Sequence, residues 1–193
     1  MRIALVASSA VTVPPKAFGG AEVVTAELAK MLTRLGHDVV VYGSGDSRPG
    51  CTLRHRFANA GGPGAGAAQR ELLHATYAFR DIAASPIPFD VVHASHAPAL
   101  AVGAACQTPL VFTVHHDRDE AMMQYYGDFP DVCYVATSDS QVRRMPELNV
   151  AAVVHAGLDP ETHAAGTGSG GYFAFLGKLT PLPRARRDLT PAQ

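Results

Sequence analysis

Five polar clusters in this chain carry residue types able to do chemistry. They are Gly19-Gly20 with Glu22 just behind, Ser44 to Asp46, His93-x-x-His96, His115-His116-Asp117, and Thr137-Ser138-Asp139-Ser140. A glycine pair at the mouth of a helix leaves backbone N–H groups open, which favours an anion such as a phosphate. The plain alternative is a flexible turn. An imidazole beside a polar substrate can donate or accept a proton near neutral pH. The histidines with Asp117 also offer nitrogen and oxygen ligands of the kind zinc takes, but no helical His-x-x-x-His accompanies them. The bland reading is that these rings satisfy loop carbonyls.

These clusters need elements to position them. Residues 3–7 are a continuous apolar run, as a strand covered on both faces requires. Val24, Leu28, Met31, Leu32 and Leu35 then recur at helical spacing, with Gly36 placed to cap the helix. Residues 39–42 read as a second strand, completing a right-handed βαβ unit. Further strands are expected over 52–57, 89–93, 110–114, 133–137 and 150–154. Helices are expected over 69–84, 98–105, 120–126 and 141–148. The alternation predicts an α/β fold, a doubly wound, Rossmann-like parallel sheet. Each polar cluster follows a strand, where open α/β sheets bind ligands.

Two glycine stretches invite a dinucleotide reading. "GSGDSRPG" lacks the third glycine and a following helix. "GPGAGA" follows no convincing buried strand and reads as a mobile loop. Near residue 163 the composition turns small and polar, a linker over 164–171. Residues 172–179 resemble a fresh strand, and the tail beyond is proline-rich. The expected organisation is therefore a domain over 1–163, a linker over 164–171, and the truncated start of a second domain over 172–193.

The totals narrow the classes. The chain has 193 residues, 47% hydrophobic and 17% charged, in the range of an ordinary globular protein. A formal net charge of -1 gives no attraction for nucleic acid. Three scattered cysteines, Cys51, Cys106 and Cys133, argue against a disulfide framework and fit a cytoplasmic location. The first residues lack a convincing cleavage site, and no apolar run reaches the roughly 18 residues of a membrane span.

Taken in order, the segments resemble the N-terminal half of family 4 retaining glycosyltransferases of the GT-B fold. "PPKAFGGAEVVTAELAKMLTRLGHDVVVYGSGDS" is similar to that family's opening strand, Gly-Gly-x-Glu, helix and Gly-His-x-Val strand. "FDVVHAS", "VFTVHHD", "YVATSDSQ", "VVHAGLDPETH" and "FAFLGKLTP" resemble later elements in the same order, over roughly residues 1 to 180. The resemblance implies sugar transfer from a nucleotide-sugar donor to an acceptor with retention and without an essential metal or other cofactor. It implies that Gly19 and Gly20 face the donor diphosphate and that Glu22 shapes their loop. It implies His115 as the catalytic residue near the donor sugar, with Asp117 and Ser138 lining the cleft.

The chain departs from the family in its last residues. Lys178 stands where the family's basic pair begins with Arg, the Lys-Gly is missing, and no Glu follows Glu161 to make the Glu-x7-Glu element. The expectation is a half-enzyme, inactive alone as a truncated chain. The alternatives are a non-catalytic binding module, a half completed in trans by a separate donor-binding half, or a metal-dependent hydrolase built on the histidines.

Overall fold

The computed structural model describes residues 1–163, 166 and 168–171. Lys178, the expected strand over 172–179 and the tail lie outside the described residues. Two compact units divide between Asp159 and Pro160. In the first, Met1–Asp159, the strands are β1 (Arg2–Val6), β2 (Asp38–Tyr42), β3 (Thr52–Arg54), β4 (Val91–Ala94), β5 (Leu110–Val114), β6 (Cys133–Ala136) and β7 (Val150–Val153). Between them run α1 (Gly20–Arg34), α2 (Ala67–Ala83), α3 (Ala97–Ala104), α4 (Glu120–Gly127) and α5 (Asp139–Arg144).

The strands form one parallel sheet in the order β3-β2-β1-β4-β5-β6-β7. Strand order reverses between β1 and β4, so the crevice of a doubly wound fold opens beyond their carboxyl ends. The expected α/β, Rossmann-like architecture is the one observed.

Strand alternation sorts the core into two layers. Ala4, Val6, Val40, Tyr42, Val92, Ala94, Phe112, Val114 and Tyr134 face one side, packed by Ala75, Ala78 and Phe79 of α2, Leu100 of α3 and Tyr126 of α4. Ile3, Leu5, Val39 and Val41 face the other, under Leu28, Ala29 and Leu32 of α1. Phe112 sits between Tyr126 and Tyr134, ring centroids 5.7 and 6.0 Å away.

Element ends follow local chemistry. Helix α1 stops in a Schellman turn: His37 N–H donates to the Leu32 carbonyl and Gly36 N–H to that of Thr33. Gly36 there has φ 83°, one position beyond the cap residue Leu35. The strand expected over 89–93 begins later, because Asp90 instead brackets the Arg2 backbone, giving its N–H and accepting that of Arg2. The helix expected over 141–148 is shifted to Asp139–Arg144. It starts on a Ser138 cap and ends at Met145, which precedes Pro146 and disfavours helical backbone. The glycine-rich stretch after β3 is pinned rather than free, with Gly61 and Gly62 N–H donating to the Ser9 and Ala10 carbonyls. Asp159, buried at the end of the unit, is held by Lys30 and by Arg34 of α1, the latter at 3.3 Å. No described helix is long and apolar enough to cross a membrane.

Phe112 is 1% exposed inside an aromatic cluster. Phe112→Ala is expected to cost about 3–5 kcal/mol, read as a lower urea midpoint, whereas Leu35→Ala, at a position 73% exposed, leaves the midpoint nearly unchanged.

Candidate functional site

All seven strands point their carboxyl ends at one rim, and the polar clusters collect there. At the end of β1, Ser8 and Ser9 converge on Glu71 of α2. Glu71 Oε1 accepts from Ser8 Oγ at 3.2 Å, Ser9 N–H at 2.9 Å and Ser9 Oγ at 2.7 Å. Glu71 Oε2 lies 3.4 Å from His96 Nδ1 at the end of β4, an approach that falls short of a hydrogen bond. This knot ties α2 across the switch point.

The glycine pair behaves as two different residues. Gly19 is the extended N-cap of α1, and a Cβ there would meet Glu22 Oε2 and Pro15 Cβ, each at 2.8 Å. The Glu22 carboxylate folds back over the helix mouth, where burial pushes its pKa up. Gly20, the first residue of α1, has open space around it. Glu22 therefore packs against Gly19. The loop before it is fixed from the other side, with Val13 N–H donating to Ser47 Oγ at 3.0 Å and Arg48 N–H to the Val13 carbonyl at 2.7 Å. The "GSGDSRPG" stretch thus serves as a clamp for the β1–α1 loop.

The histidines separate. His93 Nε2 pairs with Thr113 Oγ1 at 2.7 Å. His96 lies against Glu71 and stacks on His74, ring centroids 6.3 Å apart. His74 Nε2 donates to the Ala7 carbonyl at 3.1 Å. His116 packs on the Tyr126 ring, gives its Nδ1 proton to the Asp117 carbonyl at 2.6 Å and takes the Tyr126 hydroxyl at Nε2, also 2.6 Å. Among the described residues no group of three or more His, Cys, Asp or Glu side chains could hold a metal ion.

His115 differs from its neighbour. Its Nε2 is buried without a hydrogen-bond partner, and burial, followed by the nearby His116, pushes its pKa down. It presents a ring biased toward the neutral form, with one polar atom unspent. His93 and His96 are both held at about 4 by burial, with His115 adding to the effect at His93.

Asp117 and Ser138 both engage α5. Asp117 Oδ1 pairs with Arg144 Nη2 at 2.6 Å. Ser138 Oγ caps α5 by accepting from Gln141 N–H at 3.2 Å. Gln141 is the rim residue that sequence reasoning missed. It is buried, and its amide bridges the ends of β5 and β6. Its Nε2 donates to the Val114 and His116 carbonyls at 3.0 and 2.8 Å, and its Oε1 accepts from Thr137 N–H at 2.7 Å and Thr137 Oγ1 at 3.3 Å. The available signal was the Ser138-x-x-Gln141 spacing of a capping box. Glu71 was missed too, because nothing in a helical run marks which acid will reach a neighbouring loop.

A parallel sheet of this order with polar strand ends at its switch point defines a doubly wound, Rossmann-like α/β domain. The profile described as Glycosyltransferase Family 4 matches residues 18–162. The chain belongs to that family. No protein among the curated ones matches it. Among solved structures it is similar to AviGT4, a glycosyltransferase involved in avilamycin A biosynthesis, at 22% identity and TM-score 0.55 over 83% of this chain and 43% of that one. It is similar as well to sucrose-phosphate synthase from Thermosynechococcus elongatus, at 16% identity and TM-score 0.59 over 80% of this chain and 46% of that one. A piece of the same synthase is 15% identical, TM-score 0.55, with 80% of this chain and 86% of that piece covered. The likenesses at this identity are of fold, and the chain spans less than half the length of the first two proteins.

Two predictions follow from the rim. Gly19→Ala forces its Cβ into Pro15 and Glu22 and is expected to cost about 1–3 kcal/mol, while Gly20→Ala is near neutral, with thermal melts of the two variants side by side as the check. The second concerns acid. His93 and His96 titrate at about 4 in the fold and near 6.5 in an unfolded chain, so between those values the unfolded state binds more protons. Stability is full above about pH 6.5 and falls as the pH is lowered toward about 4. Urea midpoints across that window measure it, and a flat profile would contradict the assignment.

Proposed function

We propose that this chain is the acceptor-side half of a retaining glycosyltransferase that moves a sugar from a nucleotide-sugar donor to a hydroxyl-bearing acceptor. The observation that carries the reading is the shared rim. β1, β4 and β5 are neighbours, so the end of β1, whose loop leads to Gly19 and Gly20, and the end of β5, which His115 follows, lie about two strand spacings apart, roughly 9–10 Å. A diphosphate at the helix mouth would leave its attached sugar within reach of the next strands.

In this reading Gly19 and Gly20 offer the helix-terminus N–H groups to the donor diphosphate. The Glu22 carboxylate must swing aside or be neutralised as the anion arrives, and the pKa-raising burial it experiences favours both. His115 contacts a donor-sugar hydroxyl and stabilises the charge developing at the anomeric carbon as the leaving diphosphate departs. A ring kept neutral by burial suits that role, because it can accept a hydroxyl proton or donate its own without repelling the oxocarbenium. Ser138 acts through the α5 turn it caps, and Asp117 through its pairing with Arg144, at the cleft edge. No metal is required, since positioning and preformed dipoles supply the chemistry. The three free thiols suit a cytoplasmic setting.

The 193-residue chain alone is expected to show no turnover with a panel of nucleotide sugars and simple sugar acceptors, assayed by nucleotide release. Steady transfer by the isolated chain would overturn the half-enzyme reading. In a hybrid joined to a donor-binding half, His115→Ala is expected to lower kcat about 100-fold or more with KM little changed; an unchanged kcat would remove His115 from the reaction.

A further inference from the structure

We propose that Gln141 is the positioning residue of the His115 imidazole, through the backbone on either side of it. This rests on the reading of His115 as the residue that meets the donor sugar. The two side-chain N–H bonds of Gln141 go to the carbonyls of Val114 and His116, the two residues that flank His115, at 3.0 and 2.8 Å. One planar amide thus holds the peptide units before and after a single residue. The other end of the amide is also filled: Oε1 takes Thr137 N–H and Thr137 Oγ1. Both donors and both acceptor sites are spent, which fixes which atom is nitrogen and which is oxygen. The reverse orientation would set N–H against N–H at Thr137 and oxygen against two carbonyls at β5.

The surroundings leave the clamp little freedom. Gln141 is buried on α5, whose first turn is set by the Ser138 cap. The next residue, His116, is itself held by the Tyr126 hydroxyl and the Asp117 carbonyl. The His115 backbone is consequently anchored on both sides while its own Nε2 has no partner. A ring with an unspent, buried polar atom stays aimed only if its backbone is held, and the Gln141 amide is the group that holds it. Without that amide the buried Val114 carbonyl and the half-buried His116 carbonyl lose this donor, and the end of β5 is free to turn and let water reach the ring.

Gln141→Met keeps the length and removes both donors. Gln141→Glu keeps the shape and, when ionised, turns a carboxylate toward the two carbonyls. The test is the His115 imidazole of the full 193-residue chain, followed by 15N-edited NMR across a pH titration with His116 as the internal comparison. In Gln141→Met the His115 resonances are expected to move and its pKa to rise toward the ordinary value near 6.5, while His116 keeps its wild-type shifts. In Gln141→Glu the wild-type His115 shifts are expected to return in part at acid pH, where the protonated acid regains one donor. A merely structural Gln141 gives a different pattern: faster amide exchange along residues 139–144 with His115 unmoved, which overturns the proposal. In the wild type both Gln141 side-chain amide protons should resist exchange. Rapid exchange there overturns the proposal even if both variants fail to fold. The readout needs no turnover, so a His115→Ala hybrid with unchanged kcat would sink the reading of His115 and leave the clamp standing.

Discussion

One constraint organises this domain: every described strand of the sheet runs the same way. Parallel strands cannot be joined by tight turns, so each must return across a face of the sheet, and the helices that do so cover both faces. The same constraint sends each strand's carboxyl end to a single rim. Gly19, His96, His115 and Ser138 are far apart in the chain, yet each follows its own strand onto that rim. The reversal of strand order between β1 and β4 parts the covering helices there, and the crevice this leaves is lined by backbone ends whose hydrogen bonds the sheet does not use.

Those loose ends are fastened by a few buried polar side chains. Glu71 gathers the end of β1, the Ser47 hydroxyl holds the loop before α1, and Gln141 joins the ends of β5 and β6. A buried hydrogen bond contributes only about 0.5–1.5 kcal/mol net, but leaving its partner unsatisfied costs more. Such residues therefore act less as sources of stability than as selectors of one loop arrangement. The unspent polar atoms on His96, Glu71 Oε2 and His115 lie beside these fastenings. The domain binds its backbone tightly and leaves side-chain capacity open at the same rim.

Much of the architecture was legible because it rests on periodicity. The apolar run over residues 3–7, the helical spacing from Val24 to Leu35, and "LVFTV" at residues 110–114 each fix an element from local pattern alone, and the alternation of elements then dictates a parallel sheet. Boundaries were less legible where a tertiary contact moved them. Asp90 turns to the Arg2 backbone and delays β4, and Pro146 cuts short a helix whose apolar spacing continues. The site divides the same way. A glycine pair at a helix mouth and histidines at strand ends stand out as candidates from position in the chain, and only the family resemblance singles out His115 among them. Gln141 and Glu71 do not stand out, because a helical residue's partner is set by which neighbouring strand end its turn overhangs.

The adjacent pair His115-His116 shows how far residue type can mislead. The sequence offers two equivalent imidazoles. Just beyond the end of β5 the two rings meet different surroundings, and those surroundings assign their work. His116 meets Tyr126, spends both nitrogens and becomes part of the wall. His115 meets no acceptor or donor at Nε2, loses solvent, and keeps a low proton affinity with its capacity unspent. The difference lies in the environment each ring meets, and it depends on α4 being packed where Tyr126 can reach. The chemistry available at the rim is thus set by the layer of helices behind it as much as by the residues on it.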